Sequence, residues 1–486
     1  MRSRGRRSRR CRGVSSEVVR SLLRFHDELT QASSTELRDL VDGKHLDVAT
    51  LAAYLCQAAP IEPGRTLYRG IRSELLPDVW RAAPDVPMTF EGRPRDERAA
   101  CDRVREVLTF VVDRLVGTAK RVAVLASGGI DSSVVMALAA EAVARRGGSV
   151  VAIAIDFASP GDDRPHLRAL EAHLKCEVIR VTPRDGADYL EPLREGIDAA
   201  PMLWAFSPVQ LALYAAARES GAEVVLTGVG GDDFFDGHPR SLSELAKRHP
   251  IEAIRKVRAL EGFWTPRFPI VEHLLRPLAV PFVPSFVRRL KARRQPSMAE
   301  IMPWAGPTLR ETSEELTKQS RELALRGALS ERSDAYFQLP SQHYYAWLVH
   351  QEQRAVLVDR REPLFTEEVA AAVATIPPHL LLAGERRRGL LRESMRGRLP
   401  DSLLDRPDKA EFSPAFRPFF EAAGGADAFE QELEGRALGR LGLVEPKTFR
   451  DEMTKAFAAP EQSGMYGLAW AALAAEAFLC RRPELA

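Results

Sequence analysis

The sequence predicts an α/β protein built on a doubly wound parallel sheet, with extensive helical additions. Three observations carry this. Between residues 122 and 228, short apolar runs rich in β-branched residues alternate with helical patterns. Strands that alternate with helices make a parallel sheet covered on both faces. Two of the strands, VAVL (122–125) and AEVVLTG (222–228), each run into a glycine-rich turn that ends in acidic residues. After Gly237 the pattern is mostly helical to the end, and no internal repeat is visible.

The elements follow in order. Residues 1–13, MRSRGRRSRRCRG, are almost all arginine, serine and glycine and are expected to be a disordered basic tail. From Val14 to about Thr50 the pattern is weakly helical. Residues 46–80 read as a short helix, a Pro/Gly turn and a strand pair. APDVPMTFEGRPRDE (83–97) looks like a linker. Residues 98–116 have apolar positions at helical spacing. Then come the strand VAVL, a helix over 134–145, the strand VVAIAIDF (150–157) and the helix PHLRALEAHL (165–174). The strand CEVIRVT (176–182), the helix SPVQLALYAAARES (207–220) and the strand AEVVLTG complete the alternation. In such sheets ligands bind at the carboxyl ends of the strands, where both glycine turns lie.

Bulk properties narrow the class. A chain of 486 residues allows roughly two to four domains. With 45% hydrophobic and 28% charged residues it is globular, and 69 basic residues nearly cancel 67 acidic ones. Net charge therefore names no partner. The tail and FVRRLKARRQ (286–295) are locally basic, and a solvated tail or face explains each. The five cysteines, Cys11, Cys56, Cys101, Cys176 and Cys480, form no CxxC pair. That excludes a disulfide framework or zinc spacing and fits a reducing cytoplasm. No apolar stretch follows the tail, so it is no secretory signal. No window approaches the roughly 18 apolar residues of a membrane span.

The turns carry the chemistry. Ser127, Gly128 and Gly129 follow a strand and open a helix. Glycines let backbone N–H groups approach an anion, and the helix N-terminus adds positive potential. Ser132 and Ser133 add hydroxyls. The result is a phosphate cradle without the GK[ST] ending of a Walker loop. Asp131 beside phosphate calls for Mg²⁺ between them, with Asp232 or Asp233 as a second carboxylate. A lone SGG turn would read as an ordinary strand–helix loop. A second acidic glycine turn in the right βα order argues against that.

SGGIDSS (127–133) resembles the pyrophosphate loop of the PP-loop ATP pyrophosphatases, whose fold is that of the adenine nucleotide alpha hydrolases. LTGVGGDDFFDG (226–237) is similar to the second loop of the asparagine synthetase family, which includes β-lactam synthetase, carbapenam synthetase and the lasso-peptide cyclases. The likeness covers roughly residues 46–420. It continues through MLWAFSPVQLALYAAARESGAEVVLTGVGGDD and REPLFTEEVAAAVATIPPHLLLAGERRRGLLRESMRGRLPDSLLDRPDKAEF. It implies adenylation of a carboxylate by ATP, release of pyrophosphate, and attack by an amine. It implies ATP and Mg²⁺ as cofactors and puts the metal ligands on Asp131 and Asp232. Nucleotide contacts fall on Leu125, Ser127, Ile155, Thr227 and Gly228, with Gly128, Gly129, Asp131, Ser132, Ser133 and Gly230 in the cradle. The lysine that such enzymes keep beside the acyl-adenylate falls on Lys409 in RPDKAEF. The bland reading of Lys409 is a surface lysine in a Pro-Asp turn.

The sequence also departs from the family. Glutamine-dependent members carry a catalytic cysteine at position 2, which is Arg2 here. Only LDVATLAAYLCQAAPIEPGRTLYRGIR (46–72) is similar to the end of a glutaminase domain. Residues 14–97 are therefore expected to be a truncated remnant of one, unable to draw ammonia from glutamine. Cys11, in the tail, is a poor nucleophile. Residues 98–425 are expected to form the PP-loop domain, with a basic helical insertion near 239–332, and residues 426–486 to form C-terminal helices. Val229 stands where the family places a glutamate or a tyrosine, and valine accepts no proton. In DRREPLF, Asp359 or Glu362 is a candidate base, with a structural salt bridge as the alternative. Tyr344 and Tyr345 are weaker candidates, with helix packing as the alternative.

The reading is ATP-dependent amide formation, closing a macrolactam as lasso-peptide cyclases do. The substrate is a small-molecule or peptide carboxylate. The expected partners are a precursor peptide and its processing proteins, and the basic insertion would grip an acidic peptide or offset triphosphate charge. One alternative is asparagine synthesis from external ammonia, against which Val229 argues. Another is tRNA modification, which usually needs a cysteine pair absent here, so nucleic acid is not expected as a partner. A non-catalytic scaffold would not need to retain Asp131, Asp232 and Lys409.

Overall fold

The computed structural model describes residues 20–58, 62–86, 88–158, 163–261, 266–284, 297–325, 337, 339–407, 412–458 and 466–486. The expected tail, Cys11 and Lys409 lie outside the described residues. Among the described residues there are two sheets. β1 (Leu23–Asp27), β2 (Ser33–Ser34) and β3 (Ile71–Leu75) form an antiparallel sheet in the order β2-β1-β3. β4 (Arg121–Leu125), β5 (Ser149–Ile155), β6 (Glu177–Val181), β7 (Val224–Leu226) and β8 (Arg360–Arg361) form a parallel sheet in the order β6-β5-β4-β7-β8.

The parallel sheet has the expected architecture, for the expected reason. Val122, Ala123 and Val124 of β4 are all buried, as are Val224, Val225 and Leu226 of β7. Strands covered on both faces read as continuous apolar runs. One face carries the helix Glu97–Val116, started by Asp96, whose side chain accepts from the Ala99 amide at 2.8 Å. Its Val104, Val107, Leu108, Val111 and Leu115 pack with the helix Ile130–Ala144 against β4 and β7. The opposite face takes the helices Ser207–Glu219 and Pro340–Val356. From β4 the chain winds outward through β5 and β6, then returns to place β7 on the other side of β4. That reversal opens a crevice at the carboxyl ends of β4 and β7. The two glycine turns leave from these two strands.

Two expectations for the N-terminal part fail. The stretch before Thr50 holds β1 and β2, not a weak helix. Leu23, Phe25 and Asp27 are buried and Arg24 is exposed, a period of two over only five residues. The strand pair expected within 46–80 is a single strand, β3, whose partner is β1. The short helix is present, Val48–Leu55, capped by Asp47. The linker residues 83–96 hold no helix or strand where described.

The helix Val48–Leu55 and the helix Tyr466–Cys480 join the core of the sheet's second face. Tyr54 stacks on Tyr344 and Trp347, with centroids 4.7 and 4.9 Å apart. The helix Tyr466–Cys480 is buried on nearly every side, and its Trp470 indole donates to the Met202 carbonyl at 3.2 Å. In the mostly helical second half, β8 is a two-residue strand at the sheet edge, with Val225 and Leu226 paired to Arg360 and Arg361.

Candidate active site

The first turn is shaped by its own side chains. After Leu125, residues 126–129 lead into the helix Ile130–Ala144. Gly128 has φ +78°, and a Cβ there would stand 2.7 Å from the Asp163 carbonyl oxygen. Only glycine meets both demands. The Ser127 amide donates to Ser132 Oγ at 3.2 Å, the Gly129 amide to Ser127 Oγ at 3.2 Å, and Ser133 Oγ to the Gly129 carbonyl at 2.8 Å. These bonds fix the loop ahead of the first backbone N–H groups of the helix, an arrangement that suits an anion.

The second turn is pressed into the first. The buried Thr227 donates its amide to the Arg361 carbonyl of β8 at 3.1 Å. Gly230 has φ +103° and lies against the Leu364 backbone. A Cβ on Gly228 would stand 2.6 Å from the Ser132 amide nitrogen, and one on Gly231 2.3 Å from Asp131 Oδ1. Gly228 and Gly231 are thus where the first turn's backbone and carboxylate need room. The φ of Gly231 is open to any residue, so only the Asp131 carboxylate forbids a side chain there. Gly231→Ala should therefore fold but displace that carboxylate, cutting ATP–pyrophosphate exchange about 10²-fold. Exchange measured beside near-UV circular dichroism checks this.

Asp131 and Asp232 meet at one cation. Arg388, only 4% exposed, places Nε 2.8 Å from Asp131 Oδ1 and pairs through Nη2 with Asp232. Its Nη1 lies 3.3 Å from Asp236 Oδ1. Arg387 forms two 2.9 Å bonds to the same Asp236. Arg388 takes φ +51°, which non-glycine residues adopt at a cost, and Gly389 packs directly on the Ala383 carbonyl. More cations surround the crevice. Buried Arg406 pairs with Asp163 and donates to the Gly128 carbonyl at 3.4 Å. Burial, followed by the guanidinium groups of Arg386 and Arg388, pulls the Arg392 pKa down to about 10.

This donor set fits Mg²⁺ carried by a nucleotide. Magnesium takes one or two carboxylates plus phosphate oxygens. Among the described residues no group of three or more His, Cys, Asp or Glu could hold a metal unaided. Two carboxylates that share one guanidinium, next to a cradle of N–H groups, suit a metal that arrives with phosphate. Leu125 and Ile155, both half-buried, stand at the carboxyl ends of β4 and β5 on the same rim.

The sequence-derived candidates thus divide. Ser127, Gly128, Gly129, Asp131, Ser132, Ser133, Thr227, Gly228, Gly230 and Asp232 come together in the paired turns. Asp359 and Glu362 flank β8, each held by an arginine. Arg361 donates to Asp359 Oδ2 at 2.6 Å and also to the Leu115 carbonyl, at the C-terminal end of the helix Glu97–Val116. Glu362 pairs with Arg360 at 2.5 Å and accepts from the Tyr345 hydroxyl, and Arg360 also pairs with Glu352. Tyr345 stacks on Trp80 at 5.9 Å while its hydroxyl joins Arg360 and Glu362, and Tyr344 stacks on Tyr54. Arg388 and Arg406 escaped the sequence reading. Their signal was a charge run, RRR, and a lone arginine, each easily taken for surface.

Cys56, Cys101, Cys176 and Cys480 are free thiols, and among the described residues no helix is long and apolar enough to cross a membrane. A search of curated proteins finds no match. Residues 103–479, well over half of the chain, match the asparagine synthase family. The match spans both glycine turns, β8 and the Arg388 segment, and with that geometry the chain belongs to the asparagine synthase family of ATP-dependent ligases.

Proposed function

We propose that this enzyme adenylates a carboxylate and couples it to an amine held beside it, closing a macrolactam as lasso-peptide cyclases do. In the first half-reaction a carboxylate oxygen attacks the α-phosphorus of ATP and pyrophosphate leaves. The cradle of the first turn would hold the leaving phosphates, and Asp131 and Asp232 would hold Mg²⁺. The metal supplies charge neutralisation on the phosphate oxygens. The guanidinium groups around the crevice favour a polyanion there. In the second half-reaction the amine nitrogen attacks the acyl carbon, AMP leaves and the amine loses a proton. Lys409, by resemblance, would stabilise charge on the α-phosphate or on the tetrahedral intermediate.

Val229 is the observation that carries the tethered acceptor. It is half-buried in the second turn, and its amide donates to Thr227 Oγ1 at 3.3 Å. The family resemblance places a proton-accepting side chain at this position. Free ammonia without a placed base reacts poorly. An amine held against the acyl-adenylate gains roughly 7–11 kcal/mol from position alone. The acyl donor and acceptor are therefore one peptide, or two groups presented together by a processing partner.

The test offers ATP with aspartate and ammonium, and separately with a precursor peptide bearing a free N-terminus and an internal Asp or Glu. The expected product is a peptide lighter by one water, with AMP and pyrophosphate formed alongside. Efficient asparagine formation at modest ammonium would overturn the reading.

A further inference from the structure

The segment after residue 266 has two apolar faces. A wide helical turn, Val271–Leu275, runs into the short helix Arg276–Ala279 and a tight turn, Val280–Phe282. The inner face is accounted for. Leu274, with Ile270 beside it, packs on Leu242, Leu245, Val257 and Leu382. The outer face is bare. Phe268, Val271, Leu275 and Phe282 are 61, 45, 56 and 87% exposed, and Ala279 is exposed between the last two. Positions 271, 275 and 279 recur at about one helical turn, and Phe268 and Phe282 bracket them. With Val280, five of the eleven exposed large hydrophobic residues among the described residues fall in these fifteen positions. Surfaces normally scatter such residues singly, and a contiguous patch marks a contact.

Cations border the patch. The Arg267 guanidinium lies 5.5 Å from the centre of the Phe268 ring. Arg255 and Arg258 are exposed on the neighbouring helix Pro250–Ala259, and Arg276 is exposed on the segment itself. The described residues between 240 and 284 carry eight Lys or Arg against four Glu. The sequence then continues into FVRRLKARRQ (286–295), with five cationic residues and no acidic one.

We propose that this face docks on an anionic lipid surface. Interfacial binding needs projecting Phe and Leu side chains at the headgroup boundary, flanked by Lys and Arg that reach the phosphates. Cations near a negatively charged leaflet add attraction that salt screens. A second copy fits less well, because a two-fold contact sets the same cations against each other. The contact is peripheral, in keeping with the absence of a spanning helix among the described residues. It does not depend on which amide the enzyme makes.

The full chain is sedimented with vesicles of phosphatidylcholine alone and of phosphatidylcholine mixed with phosphatidylglycerol. It should pellet roughly tenfold more with the mixed vesicles, and the excess should fall at high salt. Phe268→Ser/Phe282→Ser should lose that excess and keep ATP–pyrophosphate exchange. Phe282→Trp should shift its added emission to the blue on mixed vesicles. No association, an excess that survives the double substitution, or no blue shift overturns the proposal. So does a dimer in solution that the double substitution dissolves, which would make the patch an interface between copies.

Discussion

Asp131→Asn should reduce ATP–pyrophosphate exchange by about 10²–10³-fold or more while leaving the fold intact, the scale of losing one preorganised contact to developing charge. The substitution keeps the shape that Gly231 accommodates and removes only charge. Arg388 retains Asp232 and Asp236 as partners, so no buried cation is left alone. Asparagine is a far weaker ligand for a hard cation than aspartate. Asp232→Asn should behave alike, because both carboxylates meet at one cation position. Exchange at saturating Mg²⁺ and far-UV circular dichroism provide the check. Near-normal exchange in either variant would remove these residues from the metal site.

What the sequence disclosed and what it hid follow from the range of each interaction. Strands β4 and β7 and their turns were legible because their signals are local: a β-branched run, then glycines, then an acidic residue opening a helix. The sheet and its crevice followed from the order of those runs. β1, and its pairing with β3, were hidden because each strand is five residues long and they pair across more than forty residues of chain. β8 was hidden because two residues carry no period, and it exists only through its pairing with β7. Arg388 shows the same limit in the site. Its partners Asp131 and Asp232 lie about 257 and 156 positions earlier in the chain. No local pattern announces that a guanidinium from an RRR run will stand between them. The glycines of the second turn could be read as permissive, but not as making room for the Asp131 carboxylate.

Arg360→Met should destabilise the protein by about 3–5 kcal/mol, the usual consequence of removing one partner from a buried ionic cluster. Arg360 is buried and stands between Glu352 and Glu362. It also donates to the Tyr345 hydroxyl at 2.8 Å. Burial pushes the Glu352 carboxyl up to about 7, against the pull of Arg360. Removing the guanidinium leaves these carboxylates without their cation and frees β8, against which Thr227 of the second turn is bonded. Denaturant unfolding of the purified variant measures the loss. The same cluster distinguishes the two readings of Glu362. As a structural residue, it should tolerate Glu362→Gln with lowered stability, intact exchange and amide formation per folded molecule within about threefold, because only a pairing charge is lost. As the proton acceptor, it would instead show intact exchange with amide formation per folded molecule down by about 10²-fold or more, whatever the change in stability. The arginine and tyrosine already bound to its Oε1 favour the first outcome. The tethered acceptor proposed above, which needs no strong base, is consistent with that outcome.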